Sequence, residues 1–489
     1  MSNIISGRSE EQRELQETFS SKVAEFIILY GRRRIGKTFL IEEFFSKKSC
    51  YFFHVTGVQN GTKEEQLKEF AKSIGSTFYN GASILPSVSW VDALEELSKA
   101  INGTVKNKKV VLFFDEFPWM CTRKSRLIQA LDYYWNRYWK NNKKIKLVIC
   151  GSSASWIIRK IIHHKGGLHN RNTRTLLLRP FNLNETKLFF ESVGIKLTHE
   201  QIVQIYMFCG GVPYYLNYIT KGKSASQLID KMCFQGNGIL YNEFNKLFDS
   251  LFDDSEIYKE IIRIISDSRE GVGRSYIEKK SNFSSKGGTL TDRLKDLEDA
   301  AFIKSFTPLG HKRQGIYYRI SDEYCYFYLK WIEPAKKTLI TEERNNKYWS
   351  SKVSSPEYYS WMGYVFESIC YKQIHEIRNA LNINSGSTVG VWRYSPRKGA
   401  LDEIGAQIDL IFDRDDGVTT LCEIKYTATP FVIDKSYAEN LKRKIKVYKE
   451  QTRSRKQLYF SLISSNGVKN NMYSEELING VVTMNDLFK

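Results

Sequence analysis

Gly31-Arg32-Arg33-Arg34-Ile35-Gly36-Lys37-Thr38 is the stretch from which the rest of the chain can be read. A glycine, four residues, then Gly-Lys-Thr is the spacing of a phosphate-cradling P-loop. The apolar run Phe26-Ile27-Ile28-Leu29-Tyr30 before it predicts a buried strand over Glu25–Tyr30, and Lys37–Phe45 after it has helical periodicity. The glycines let backbone N–H groups turn inward around a phosphate, and the helix N-terminus adds a favourable dipole. Lys37 is expected to bridge the β- and γ-phosphates of ATP, and the Thr38 hydroxyl to ligate Mg²⁺. All eight residues are candidate nucleotide ligands: Gly31, Arg32, Arg33, Arg34, Ile35, Gly36, Lys37 and Thr38.

Such a site needs an acidic pair at the end of a second buried strand. Val110-Val111-Leu112-Phe113-Phe114-Asp115-Glu116 supplies it. Asp115 is assigned to the Mg²⁺ shell and Glu116 to orienting or deprotonating the attacking water. A third apolar strand, Ile145–Cys150, runs into Gly151-Ser152-Ser153. Ser152 or Ser153 is read either as a sensor of the γ-phosphate or as an ordinary strand-to-helix cap. Arg171 and Arg174 are read either as fingers on the γ-phosphate or as surface cations.

Outward from that site, strand-like runs at Tyr51–Val55 and Thr175–Leu178 alternate with helical patterns at Lys63–Ile74 and Trp90–Ile101. This predicts an α/β fold with a parallel sheet covered by helices. After Pro180 the pattern turns helical, from about Asn184 to Phe248. The chain has 489 residues, enough for two to four domains at roughly 100–200 residues each. With 42% hydrophobic and 14% aromatic residues it can build several cores, which excludes a largely disordered chain. No apolar run reaches a membrane span, the first residues carry no apolar signal core, and the eight cysteines form no CxxC pair. A reduced, cytoplasmic protein without a membrane partner is expected. Lys and Arg number 73 against 54 Asp and Glu, a net charge of +19 that points to a polyanion such as DNA.

Taken together, Ile5-Ser6-Gly7-Arg8-Ser9-Glu10-Glu11, the P-loop, Asp115-Glu116, Gly151-Ser152-Ser153, Leu178-Arg179-Pro180-Phe181 and Gly210-Gly211-Val212-Pro213-Tyr214-Tyr215-Leu216 resemble the archaeal-type ATPases. These belong to the STAND clade of AAA+-like P-loop ATPases. The resemblance runs from the start to about residue 250. It implies that Gly7-Arg8 covers the adenine, that a helical lid brings Gly211-Val212-Pro213 near the nucleotide, and that the chain works as a molecular switch more than a fast motor.

Beyond the lid, helices at Glu256–Ile265, Ser275–Lys280 and Leu290–Ala300 precede two short strands, Phe302–Phe306 and Ile316–Ile320. The strands are joined by the basic tip His311-Lys312-Arg313-Gln314-Gly315, and the set predicts a winged helix-turn-helix. Arg293 and Lys295 lie on the third helix, but Asp292, Asp296, Glu298 and Asp299 make it mixed in charge. It therefore reads equally as a DNA recognition helix and as a packing helix. Pro334–Tyr348 reads as a linker.

The last part has a helix over Trp361–Leu381 and strands at Val389–Tyr394, Gln407–Asp413, Thr419–Lys425 and Gln457–Ile463. Glu367 sits on that helix and Asp409 in Gln407-Ile408-Asp409-Leu410-Ile411, while Glu423 and Lys425 share one face of their strand. Asp409 and Glu423 are candidate metal ligands, Lys425 a candidate activator of water, and Glu367 an extension of the shell. The order resembles the PD-(D/E)xK nuclease fold, in particular the domain of unknown function that follows archaeal-type ATPases, over about Tyr358 to Ile463. Gln407 stands where that family commonly has Glu. The basic helix Tyr437–Arg453, with Lys442, Arg443, Lys444, Lys446 and Lys449, and Arg455 and Lys456 beyond it, suggests a surface that tracks a DNA backbone.

The expected organisation is a P-loop ATPase domain over residues 1–182, a helical lid over 183–252, a winged helix over 253–334 and a nuclease-like domain over 350–489. The expected activity is ATP hydrolysis that gates DNA binding or metal-dependent cleavage. The alternative is a switch or scaffold with an inactive nuclease-like domain that binds DNA or a protein partner. Assembly into a homo-oligomer is left open.

Overall fold

The structure is a computed structural model that describes residues 5–104, 107–163, 168, 171–283, 288–309, 315–339, 347–394, 396 and 405–489. The chain divides into two units. One comprises residues 1–180, 212–214 and 291–301, the other 181–211, 215–290 and 302–489.

The first unit is an α/β structure around five strands: β1 (Glu25–Tyr30), β2 (Cys50–Thr56), β3 (Lys109–Asp115), β4 (Ile145–Gly151) and β5 (Arg174–Leu177). All neighbours are parallel, in the order β2-β3-β4-β1-β5. Parallel strands covered on both faces are apolar at every position. Phe26, Ile28, Leu112, Phe114, Leu147 and Ile149 enter one core, with Trp90, Leu94 and Leu97 of the helix Trp90–Thr104. Ile27, Leu29, Val111, Phe113 and Val148 alternate with them into a second, against Leu40, Ile41 and Phe44 of the helix Lys37–Ser46. Each such side chain contributes roughly 1.5–3 kcal/mol by leaving water.

A helix that the sequence pattern did not announce, Ser9–Ser20, opens this unit with only Leu15 and Thr18 buried. Lys146 holds the chain just beyond it, donating to the Ser21 carbonyl at 3.1 Å and to the Val23 carbonyl, while Lys109 donates to the carbonyls of Phe19 and Ser21. Cations at a helix C-terminus satisfy its last carbonyls and oppose the negative end of its dipole.

In the second unit, helices Leu183–Ser192, His199–Cys209 and Glu243–Asp249 come first, then Ser255–Ser266 and Arg274–Lys280. A small antiparallel sheet follows, with β8 (Tyr317–Ile320) between β6 (Val272–Gly273) and β7 (Ile303–Phe306). The helix Gly288–Asp299 completes the three-helix pattern in the chain, but from residue 291 it counts with the first unit. There buried Asp296 takes an ion pair from Arg159 at 2.9 Å. Of the helix's other carboxylates, Asp292 is exposed and Glu298 and Asp299 are half-buried. The basic tip at 311–314 lies outside the described residues.

Residues 347–489 carry a mixed sheet in the order β13-β12-β11-β10-β9. Its strands are β9 (Thr388–Tyr394), β10 (Ala406–Asp413), β11 (Val418–Lys425), β12 (Gln457–Ser464) and β13 (Gly480–Thr483). β9, β10 and β11 are antiparallel neighbours, and β11, β12 and β13 are parallel. The helix expected over Trp361–Leu381 is two helices, Pro356–Cys370 and Ile374–Ala380. The expected linker Pro334–Tyr348 begins within the helix Glu333–Leu339 and ends in the helix Tyr348–Lys352. Residues 340–346 between those helices lie outside the described residues. Leu309 N–H donates to the Val391 carbonyl at 2.9 Å, so the chain just after β7 meets the outer edge of β9. The approach is close: a Cβ on Gly390 would meet the Leu309 side chain at 2.7 Å.

Candidate functional site

The P-loop turns between β1 and the helix Lys37–Ser46. Gly31 has φ +149°, and a Cβ there would lie 2.3 Å from the Leu178 carbonyl oxygen, so only glycine fits. Gly36 caps the helix at φ 86°. Lys37 Nζ donates to the carbonyls of Gly31 and Arg32, both at 2.9 Å, and to Ser152 Oγ at 3.1 Å. Arg32 and Ile35 are buried, and Arg33 is half-buried. Arg34 takes φ 73°, with its guanidinium 4.4 Å from the Tyr214 ring centroid and its carbonyl accepting from Tyr214 N–H at 3.3 Å. Arg8, also buried, donates to the Ile35 carbonyl at 3.3 Å. Residues from both ends of the first 214 therefore grip the loop.

The acidic pair is in place. Thr38 Oγ1 donates to Asp115 Oδ2 at 2.7 Å. A hydroxyl and a buried carboxylate already in contact fit a Mg²⁺ shell, which those two residues would hold. Glu116 adopts a left-handed backbone, φ 45°, a conformation that costs an ordinary residue about 1–3 kcal/mol and clusters at functional sites. Its carboxylate accepts from Ser152 N–H at 3.1 Å and from the Ser152 hydroxyl. Ser152 thus links Lys37 to Glu116. β4 makes this contact, because it runs between β1 and β3 and ends beside both.

Arg171 and Arg174 are occupied elsewhere. Arg171 pairs with Asp132 at 3.6 Å, and Arg174 with Glu14 and Glu17 of the helix Ser9–Ser20. Arg179, in the Leu178-Arg179-Pro180-Phe181 stretch, carries the nearby positive charge that opposes the upward push of burial and of Asp299 on the Tyr30 hydroxyl, at the end of β1.

The carboxylates of the second unit also meet. The β10–β11 ladder stops at Leu410–Cys422, and Asp409 Oδ2 accepts the next N–H, that of Ile424, at 3.0 Å. On its other side β10 is irregular: three residue steps from Ile408 to Ile411 face two on β9, a bulge that contains Asp409. The Tyr371 hydroxyl lies 2.8 Å from the freed Asp409 carbonyl and 2.5 Å from Glu367 Oε1. Glu423 receives Lys425 and the Tyr437 hydroxyl on Oε1, at 2.9 and 3.1 Å, and Lys444 on Oε2 at 2.7 Å.

These charges act on one another. Burial, then Glu423 and Glu367, push Asp409 up to about 8. Burial also raises Glu423, but the ammoniums of Lys425 and Lys444 outweigh it and hold that carboxyl below its ordinary value. Burial lowers Lys425, and Glu423 more than restores it. Glu367 is raised, chiefly by burial. Among the described residues no group of three or more His, Cys, Asp or Glu is arranged to hold a metal ion. With both Glu423 oxygens on lysine ammoniums, the donor set expected for a cation at Asp409 and Glu423 does not fit one as it stands.

The basic run is partly spent inside the fold. Lys444 serves Glu423, Lys442 pairs with Glu476, Lys456 with Asp413, and Arg443 donates to the Gly405 carbonyl. Lys449, Arg453 and Arg455 are exposed. Tyr371, Tyr437 and Lys444 were not singled out as site residues. Their signal lies in spacing: Tyr371 follows Glu367 by one helical turn, and Lys444 follows Tyr437 by two.

Residues 6–219 match the family model of an ATPase domain predominantly from Archaea. Over that stretch the chain is similar to the archaeal-type ATPase domain. That similarity supports nucleotide binding or hydrolysis. An uncharacterised protein of Methanocaldococcus jannaschii is 27% identical over 424 residues, 86% of this chain and 87% of that one. A second protein of that organism, described as an uncharacterised ATP-binding protein, is 49% identical over 41 residues, 8% of this chain and 70% of its own. The structure of a Walker-type ATPase of Pyrococcus abyssi aligns with a TM-score of 0.48 at 19% identity, over 67% of this chain and 96% of that one. No helix among the described residues is long and apolar enough to cross a membrane.

Proposed function

We propose that the chain is a Mg²⁺-dependent ATP hydrolase of STAND type whose nucleotide state gates DNA engagement by its C-terminal, PD-(D/E)xK-like part. The observation that carries the reading is the continuous link Lys37–Ser152–Glu116 beside Thr38–Asp115. Lys37 and the loop N–H groups bind the phosphates. Thr38 and Asp115 hold Mg²⁺, which supplies charge neutralisation on the phosphate oxygens. Glu116 accepts the proton of the attacking water, and Ser152 fixes its carboxylate while sensing the lysine. Arg8 closes the loop from the adenine side.

DNA engagement is supported by the +19 charge and by exposed Lys449, Arg453 and Arg455. Of its two forms, binding and cleavage, the paired oxygens of Glu423 favour binding, with Asp409, Glu423, Lys425 and Glu367 as a nuclease-like scaffold. The test is cleavage and binding of single-stranded, duplex and branched DNA with Mg²⁺ or Mn²⁺, with and without ATP. Wild type is compared with Lys37→Ala and Lys425→Ala. ATP-dependent binding lost in Lys37→Ala supports the proposal, and binding indifferent to ATP rejects it. Cutting by wild type that disappears in Lys425→Ala would replace the scaffold with a live nuclease.

A further inference from the structure

A cavity of about 630 Å³ opens beside Glu367 in the second unit. One wall is the small sheet, with Phe306 on β7 and Arg319 on β8. The opposite wall is the outer strand β9 with Trp392 and Arg393, and Tyr364 and Tyr371 come from the helix Pro356–Cys370 and its end. Tyr371 also reaches the carboxylate cluster through its hydroxyl.

Two properties define what the cavity can hold. It is lined by flat rings, and its cations are guanidiniums, which stack on rings and match phosphate oxygens in pairs. Arg319 lies 3.8 Å from the Tyr371 ring centroid and 5.1 Å from that of Phe306. Arg269 donates to Ser360 Oγ at 2.6 Å, and Arg393 pairs with Glu270. Three guanidiniums against Glu270 and Glu367 leave the lining net positive. The Tyr371 ring under Arg319 carries the hydroxyl that reaches Glu367 and the Asp409 carbonyl. Whatever occupies the cavity therefore lies one side chain away from the carboxylates. A volume of this size suits one small planar group and not a duplex, whose bases are stacked out of reach.

We propose that this cavity receives one unstacked nucleotide of single-stranded DNA, with its base against the rings and its phosphates at the arginines. The proposal deepens the DNA reading and rests on it. A base in contact with aromatic or guanidinium planes adds about tenfold or more to affinity irrespective of its identity, whereas phosphate contacts do not require a base.

The experiment measures binding of the full chain, at one fixed salt concentration, to a thymidine dodecamer and to the same phosphodiester backbone with abasic sites throughout. Wild type is expected to bind the dodecamer about tenfold or more tightly than the abasic strand. Arg319→Gln is expected to bring the two affinities to within about twofold while ATP turnover stays at the wild-type value. Phe306→Leu provides the same test from β7 if Arg319→Gln does not fold. Equal affinities in wild type, or a difference that survives both Arg319→Gln and Phe306→Leu, would overturn the proposal. Equal affinities with ATP-dependent DNA binding intact would remove the pocket alone. A base-dependent difference indifferent to ATP would leave the pocket and remove the gating.

Discussion

Ser152 meets Glu116 twice, through its backbone N–H at 3.1 Å and through its hydroxyl. The same hydroxyl accepts from Lys37 at 3.1 Å, so Lys37 and Glu116 share one small side chain. Ser152→Ala keeps the backbone bond and loses the rest. Its ATP turnover is expected to fall about tenfold while nucleotide affinity changes little, whereas Glu116→Gln should lose about 100-fold or more in turnover. Steady-state hydrolysis beside a fluorescent-nucleotide titration reads both effects, and a Ser152→Ala defect confined to affinity would contradict the assigned role.

Gly31→Ala is expected to abolish nucleotide binding. Its Cβ would be forced against the Leu178 carbonyl in a backbone conformation that costs about 1–3 kcal/mol for any other residue. An isothermal titration with ATP and a melting curve should show lost binding together with a lowered transition. Normal ATP affinity would mean that the loop tolerates the shift.

Lys146 offers a pH dependence with a definite sign. Burial, helped by Lys109 and opposed by Glu25, lowers its amine from 10.5 to about 8. Below about pH 8 both folded and unfolded chains carry the proton, and the folded chain bears the full penalty. As pH rises from 8 towards 10.5 the folded state releases its proton first, the unfolded state binds more protons, and wild-type stability rises. The penalty amounts to at most about 3 kcal/mol. The stability of Lys146→Met relative to wild type should therefore decline between pH 8 and pH 10, read as the difference between their melting temperatures at each pH.

Asp409 carries a structural duty alongside any chemical one, because its Oδ2 accepts the Ile424 N–H where the ladder has stopped. Asp409→Ala leaves that donor without its partner and is expected to cost about 1–3 kcal/mol, whereas Asp409→Asn retains an acceptor. Thermal melts should separate the two variants. Equal destabilisation would show that charge, and not the hydrogen bond, is what the bulge needs.

The P-loop and Asp115-Glu116 were legible because each is a local pattern at the end of an apolar run. Ser152 was visible as a residue but not as a link, since its partners come from β1 and β3 and the order of strands is not written in any one of them. The split between Pro356–Cys370 and Ile374–Ala380 escaped for lack of a proline or glycine to mark it. The helix Ser9–Ser20 escaped because it buries too few apolar residues to leave a period. The fate of the basic helix was hidden too: a row of lysines reads as surface until a buried carboxylate such as Glu423 is known to lie under one turn of it.

The hydrogen bond from Leu309 to Val391 bears on how the protein can be dissected. A fragment begun at residue 350, where composition invites a cut, keeps the whole mixed sheet but sheds Leu309, which bonds its outer strand at Val391. β9 would then present bare backbone donors and acceptors along an open edge, a template on which copies pair. Such a fragment should be sticky and self-associating, and a soluble one should have to begin before β7.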